Sequence, residues 1–373
     1  MIDSLIAIES STRQTIQKVL HQLLAGGSVD ALLVPMTLPA GHVAPMLVTD
    51  PDALAQADPL VPVLPINAAR AAANLTVTGH KEKLGVVLRA CEIRALVELV
   101  KFQQANLDDV VIIGVDCLGT YPVADWQAAD DKQQVVDGLL AGAEKAELQP
   151  HEGMAFRAAC QMCEHPLPEG DHVSLTMGLI GIDPGQIFLQ ARDDLAQALD
   201  LEATDQGNAR ADAASQLITA RTQARDAAFA GFRDRVNSMD GLLHEFAACI
   251  RCHNCMINCP ICYCKECIFR TATFEHESQL YFQWAQRKGT VRMLPDTLLF
   301  HLTRLNHMVT SCVGCGMCTD ACPVDIPVGT VFRTVGQEVQ ALFDYSPGRS
   351  LDDAAPVQEF REEELTTLGE KPQ

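Results

Sequence analysis

The chain has 373 residues, 48% hydrophobic and 20% charged, so it can bury a sizeable core and is not disordered by composition. Its 48 Asp and Glu against 28 Lys and Arg give a formal net charge of −20, which repels phosphate backbones and anionic lipid and argues against nucleic-acid binding. Fifteen cysteines in a chain too long to need a disulfide framework point to metal ligation in a reducing, cytoplasmic setting. The first residues, MIDSLIAIESSTRQ, lack the basic and apolar regions of a signal peptide, and the purest apolar run, Val110 to Val115, falls far short of a bilayer span. Neither export nor a membrane span is expected.

In chain order, helical periodicity covers Thr15 to Leu24, an extended segment covers Val29 to Val34, and a short apolar piece covers Val63 to Ile66. Strands at Gly85 to Ala90 and Val110 to Val115 flank an amphipathic stretch, Glu92 to Gln104, which makes a strand, helix, strand unit. Continuously apolar strands of this kind predict an α/β N-terminal domain, residues 1–205, with a mostly parallel sheet. Asp205 to Ala214 reads as a polar linker entering a helix from Gln216 to about Phe246, so that 206–246 forms a helical linker. Ile268 to Thr310 reads as mostly helical, with Leu298, Leu299, Leu302 and Leu305 at helical spacing. An α-helical dicluster ferredoxin domain is expected over 247–332, and a helix and acidic tail over 333–373. From Tyr345 onward, through FREEEL, the expectation is a solvated extension. No P-loop is present, and no G-x-G-x-x-G follows a strand.

Two stretches carry the most specific chemistry: Cys249-Ile-Arg-Cys252-His-Asn-Cys255-Met-Ile-Asn-Cys259-Pro260 and Cys312-Val-Gly-Cys315-Gly-Met-Cys318-Thr-Asp-Ala-Cys322-Pro323. Both read C-x2-C-x2-C-x3-C-P, in which three thiolates wrap one cubane and the fourth serves the other cluster. The expected 4Fe-4S ligand sets are Cys249, Cys252, Cys255 and Cys322, and Cys312, Cys315, Cys318 and Cys259. Zinc sites more commonly use paired C-x2-C knuckles. The 52 residues between Cys259 and Cys312 resemble the helical two-cluster ferredoxins of succinate dehydrogenase and heterodisulfide reductase subunits. Cys262, Cys264 and Cys267 are left over. Packing thiols beside a cluster is the favoured reading, and a further metal site would need a fourth ligand such as His253 or His276.

Cys91 and Cys117 each follow a strand, which places both at the carboxyl edge of a parallel sheet, where open α/β sheets assemble their sites. Cys160-Gln-Met-Cys163 adds a two-thiol knuckle, completing four thiols that would satisfy either one cubane or one zinc.

The segments Gly85-Val-Val-Leu-Arg-Ala-Cys91-Glu-Ile-Arg-Ala-Leu, Ile113-Gly-Val-Asp-Cys117, Ala159-Cys160-Gln-Met-Cys163 and Val173-Ser-Leu-Thr-Met-Gly178-Leu-Ile-Gly181 resemble the coenzyme F420 hydrogenase/dehydrogenase beta-subunit family. The resemblance spans most of residues 25–185. It implies a third 4Fe-4S cluster on Cys91, Cys117, Cys160 and Cys163, beside an FAD that exchanges a hydride with the deazaflavin coenzyme. Two stretches depart from the family at plausible flavin-contact loops: Glu9-Ser-Ser-Thr-Arg-Gln replaces a Gly-Gly-rich turn, and Ala57-Asp-Pro-Leu-Val-Pro replaces a Gly-Ser-Lys-Tyr-like segment. Flavin contacts and catalytic residues are therefore not assigned, and Glu92 with Arg94 reads as a local pair at the start of a helix. The expected function is an electron-transfer subunit most like the beta subunit of formate dehydrogenase or F420-reducing hydrogenase. Its partner would be a catalytic subunit of formate dehydrogenase alpha, hydrogenase or heterodisulfide-reductase type, and a free-standing carrier is the alternative.

Overall fold

A computed structural model describes residues 1–77, 82–204, 208–290, 293–294 and 296–359. The first half alternates strand and helix: β1 (Ile2–Ala7), α1 (Thr12–Ala25), β2 (Ala31–Thr37), β3 (Val43–Val48), α2 (Ala69–Val77), β4 (Leu84–Arg89), α3 (Ala90–Lys101), β5 (Val110–Val115), α4 (Val123–Ala128), α5 (Lys132–Ala143), α6 (Ala158–Gln161), β6 (Leu175–Gly178), β7 (Gln186–Ala191) and α7 (Asp193–Ala198). The second half is helical: α8 (Ala209–Arg235), α9 (Met239–Phe246), α10 (Asn254–Ile257), α11 (Ser278–Lys288), α12 (Thr297–Met308), α13 (Met317–Asp320) and α14 (Val328–Leu342).

The strands form one sheet in the order β1-β7-β6-β5-β4-β2-β3. Its centre is parallel, with β4 beside β2 and β5, and β5 beside β6; β3 and the β7-β1 pair close the two sides antiparallel. All six residues of β4 are buried, as expected for a strand covered on both faces. Successive side chains alternate between faces. Leu32, Val34, Val87, Ile113 and Met177 enter one core with Leu20 and Leu23 of α1 and Leu139 of α5, whereas Leu33, Val86, Leu88 and Ile112 enter a second. That second core continues through α3 into Phe246, Cys255, Phe300, Met308 and Phe332, so the cysteine-rich half packs directly on the sheet.

The helical half departs from its expected layout in three places. The linker and helix expected over 206–246 form a single helix already at Ala209, interrupted between Arg235 and Met239, where Ser238 caps α9 through Gly241 N–H. Ala213 and Leu217 enter the first core and Phe232 the second, so α8 ties the two together, and packing begins before the hydrophobic periodicity does. On α12 the buried face is Thr297, Phe300, His301, Arg304 and Met308, while Leu299 and Leu302 are exposed and Leu298 and Leu305 half-buried. The helix turns its polar side to the cysteine loops and leaves part of the leucine stripe outside.

The third difference is the tail. Tyr345, Pro347, Gly348 and Ala355 are buried against α3. Tyr345 Oη donates to Glu98 Oε1 at 2.6 Å, Gly348 N–H donates to the same oxygen at 2.8 Å, and Lys101 Nζ lies 3.4 Å from it. Arg94 donates to the Pro347 carbonyl. A fully buried carboxylate needs such partners, and the tail supplies them. FREEEL lies outside the described residues. No helix among the described residues is long and apolar enough to cross a membrane.

Tyr345→Phe removes one donor from a buried carboxylate and should cost about 2 kcal/mol in urea unfolding of the anaerobic protein. A loss below about 0.5 kcal/mol, the range of an uninvolved surface change, would contradict this account of the tail.

Candidate metal centres

The parallel strands β4 and β5 end at the same edge of the sheet and deliver Cys91 and Cys117 there. Cys91 lies in the first turn of α3, which is closed by Glu92. That carboxylate accepts from Arg89 N–H at 3.0 Å and from Ala68 N–H at 2.8 Å. The expected pairing of Glu92 with Arg94 is not found: Glu92 is occupied by backbone, and Arg94 reaches the carbonyls of Pro347 and Val313. Behind Cys117, the buried Asp116 accepts from Leu179 and Ile180 N–H and from both Nη atoms of Arg210, while Cys117 N–H donates to the Pro166 carbonyl. The α6 knuckle brings Cys160 within 3.0 Å of Thr120 Oγ1 and places Cys163 Sγ 3.5 Å from the His165 carbonyl. Cys91, Cys117, Cys160 and Cys163 line one cavity, and Cys315 of the later motif lines it too.

The two long motifs share a backbone design. In each, the second and fourth residues after the first cysteine adopt left-handed φ: Arg251 and His253 at 55° and 60°, Gly314 and Gly316 at 73° and 75°. A short helix, α10 or α13, follows each loop. Glycine occupies this region without steric cost, but Arg251 and His253 must be held there. Arg251 Nη1 pairs with Asp296 at 2.6 Å, and the His253 ring lies 4.8 Å from that of Phe300.

Several thiols of the two motifs lie near enough to one another to interact electrostatically. Cys249 interacts electrostatically with Cys322 and Cys252, and Cys255 with Cys249, Cys252 and Cys322. Cys318 does so with Cys259, Cys315 and Cys312, and both Cys312 and Cys315 with Cys259. Burial, reinforced by neighbouring thiols, pushes Cys249, Cys255, Cys312, Cys315 and Cys318 upward, Cys255 to about 11 and Cys315 to about 12; in the sheet-edge set burial carries Cys117 to about 11. Thiols held protonated by burial ionise together with metal entry, which is the donor chemistry a cluster requires. Among the described residues, no group of three or more His, Cys, Asp or Glu is placed to hold a single metal ion.

Two polar residues of α12 that the periodicity did not single out touch the ligand candidates. Arg304, 4% exposed, donates from Nη1 to Cys255 Sγ at 3.1 Å and from Nη2 to the Cys255 carbonyl at 3.0 Å. His301 Nε2 lies 3.4 Å from Cys249 Sγ, and burial, then the Arg304 charge, lowers its pKa to about 4, so the ring is neutral. Their one sequence signal is polar residues three apart on an otherwise apolar helix. Of the leftover thiols, Cys262 lies near Cys259, Cys264 and Cys267, Cys267 Sγ is 3.7 Å from Met256 Sδ, and Cys264 is exposed. Of the histidines considered as a fourth ligand, His253 packs its ring on Phe300 and His276 on Tyr281 and Trp284.

The two stretches considered for flavin contact are tied to each other. Arg13 Nε donates to the Ala57 carbonyl at 3.2 Å, Arg13 Nη1 lies 3.6 Å from Asp58 Oδ2, and Glu9 holds Lys18 at 2.9 Å. A cleft beside Glu9, Ser10, Gln14 and Lys18 thus offers one cation, already paired, where an FAD diphosphate would need free donors. These residues do not fit the flavin.

Residues 245–326 match a family described as a 4Fe-4S dicluster domain. The chain is 27% identical over 303 residues to the F420-dependent formate dehydrogenase subunit beta of Methanocaldococcus jannaschii, covering 74% of this chain and 76% of the relative. It is 28% identical over 304 residues to the F420-dependent formate dehydrogenase 1 subunit beta of Methanococcus maripaludis, covering 74% of each. Among solved structures, a chain of the xenon-derivatised F420-reducing [NiFe] hydrogenase complex of Methanosarcina barkeri matches with 12% identity and a TM-score of 0.40, over 64% of this chain and 94% of that one.

Loading metal-free protein with iron and sulfide at about pH 8 should release protons, because thiols raised by burial start protonated. A raised thiol pKa preserves the bound proton below it. Each hydrosulfide also gives up one proton on becoming a bridging sulfide, so the release beyond one proton per sulfide is the part the thiols contribute; it should persist past pH 9, the ordinary thiol value, and fall as pH climbs toward about 11, where Cys117 and Cys255 ionise unaided. Titration in weak buffer measures this, and absence of that thiol share above about pH 9 would contradict the burial argument.

Proposed function

Starting from this kinship with the beta subunits of F420-dependent formate dehydrogenase, we propose that the chain is the iron-sulfur electron-transfer subunit of a multi-subunit oxidoreductase, with three 4Fe-4S clusters. The ligand sets are Cys91, Cys117, Cys160 and Cys163; Cys259, Cys312, Cys315 and Cys318; and Cys249, Cys252, Cys255 and Cys322. The observation that carries the proposal is that Cys91, Cys117, Cys160 and Cys163 line one cavity together with Cys315 of the later motif, whose thiol in turn lies within electrostatic reach of Cys259 and Cys312.

Such clusters, when bound, take up and give back single electrons. The protein's own part is placement and electrostatics. Arg304 and His301 face thiol sulfurs of the Cys249 set, and backbone N–H groups of Arg251 and Ile326 approach Cys249 and Cys322 at 3.4 Å. Hydrogen bonds of this kind to sulfur raise a cluster's potential. The sheet-edge set is enclosed by Arg89, Arg157 and Arg221, whose positive charges offset the thiolates.

A catalytic partner subunit, of the formate dehydrogenase alpha, hydrogenase or heterodisulfide-reductase type, completes the reading. Ile250, Ile268, Phe282, Leu299 and Leu302 are exposed in the dicluster half, Phe282 at 74%, and apolar surface of this kind supports assembly with another chain. A reducing cytoplasmic location suits so many thiolates. The two stretches singled out for flavin contact bind one another through Arg13, so no flavin contact is assigned to them.

Protein purified anaerobically in its native complex should elute well above monomer size, and substrate added to the partner subunit should reduce the clusters of this chain. A lone monomer would contradict the subunit reading and favour a free carrier. Within the complex, Cys91→Ser or Cys160→Ser should remove about four of about twelve irons and leave the other two sets reducible. Loss of all the iron would show that the three sets do not form independently.

A further inference from the structure

One buried side chain bridges the sheet-edge thiols and the Cys312–Cys318 loop. Arg157 precedes the Cys160 knuckle and is 4% exposed. Its Nη1 donates to Thr120 Oγ1 at 3.1 Å, and the same hydroxyl lies 3.0 Å from Cys160 Sγ. Its Nη2 donates to the Cys315 carbonyl at 2.8 Å, touches Met317 Sδ at 3.6 Å and pairs with Asp320 of α13. A continuous polar chain thus runs from a thiol of one set, through Thr120 and Arg157, to the backbone of a thiol-bearing residue of the next.

The approach is also close sterically. A Cβ built on Gly316 would come within 2.4 Å of Ala159 Cβ, so the ferredoxin loop lies directly on the knuckle. Arg333 fixes the far side of that knuckle, donating to the Met162 carbonyl at 2.8 Å and to both oxygens of Glu164 at 2.6 Å. Cys91 and Cys315 are near enough to interact electrostatically. No equivalent chain of contacts is recorded between the sheet-edge set and the Cys249 loop among the described residues.

We propose that Arg157 is a positioning residue that sets both the separation and the mutual electrostatics of the sheet-edge cysteine set and the Cys259, Cys312, Cys315, Cys318 set, making these two directly coupled neighbours. The proposal rests on the three-cluster reading. A guanidinium stays charged when buried and holds several acceptors in one plane, which is what a fixed spacer between two anionic groups requires. It lowers the energy of added negative charge on either side, and its fork prevents the loops from sliding apart.

The test is potentiometric EPR on the anaerobic full-length protein. In the fully reduced unsubstituted protein, the spectrum should show magnetic splitting between neighbouring clusters. Arg157→Gln should retain the iron content, lose most of the splitting that involves the sheet-edge cluster, and shift that cluster to lower potential. Arg157→Lys, which keeps the charge without the fork, should restore the potential but not the splitting. Unchanged splitting and potential in Arg157→Gln would overturn the proposal. Should that variant lose iron, Asp320→Asn decides, because it frees the loop end while leaving Arg157 in place: weakened splitting supports the proposal, and an unchanged spectrum overturns it. About twelve irons without any such splitting in the unsubstituted protein would overturn this proposal alone, whereas about eight would overturn the cluster reading itself.

Discussion

The three proposed cluster sites each require thiols from separated stretches of the chain to meet, and much of the molecule is arranged around that requirement. Burial favours the protonated form of thiols such as Cys91, Cys117, Cys255 and Cys318, and ionising them together needs nearby positive charge. The arginines at the sites answer the same constraint. Arg89, Arg157 and Arg221 surround the sheet-edge set, and Arg304 is bonded to Cys255 while lying within electrostatic reach of Cys259, Cys262 and Cys318. In a chain of net charge −20, these are cations placed where sulfur needs them.

The parallel sheet provides the fixed platform. Because β4, β5 and β6 run in one direction, their carboxyl ends lie together, and Cys91, Cys117 and the Leu179–Ile180 amides that hold Asp116 meet at one edge. The dicluster half packs on the same sheet through the core that runs from Val86 to Phe332, and α8 and the returning tail lock it from two sides. A shared core, rather than a flexible linker, thus joins the two halves of the chain.

Much of this was legible in the residues themselves. Strands β4 and β5 announced themselves as apolar runs, and the C-x2-C-x2-C-x3-C-P spacing indicated the 4Fe-4S dicluster domain that residues 245–326 match. The Gly314 and Gly316 positions advertise the left-handed loop, whereas Arg251 and His253 do the same without glycine and are held by Asp296 and Phe300, partners some 45 residues away in sequence. Long-range packing explains the other differences. The buried stripe of α12 is chosen by the cysteine loops it faces, so Arg304 and His301 turn inward while Leu299 and Leu302 do not. The tail looked solvated because its anchor, Glu98, lies in another element, and the flavin stretches close on each other through Arg13, which no local pattern reveals.

The central claim is that every one of these thiol sets holds a cubane. Anaerobic quantification of iron, acid-labile sulfide and zinc per chain tests it most directly. The account predicts about twelve irons, about twelve sulfides and no zinc; about eight irons with one zinc would contradict it and make the sheet-edge set a structural zinc site.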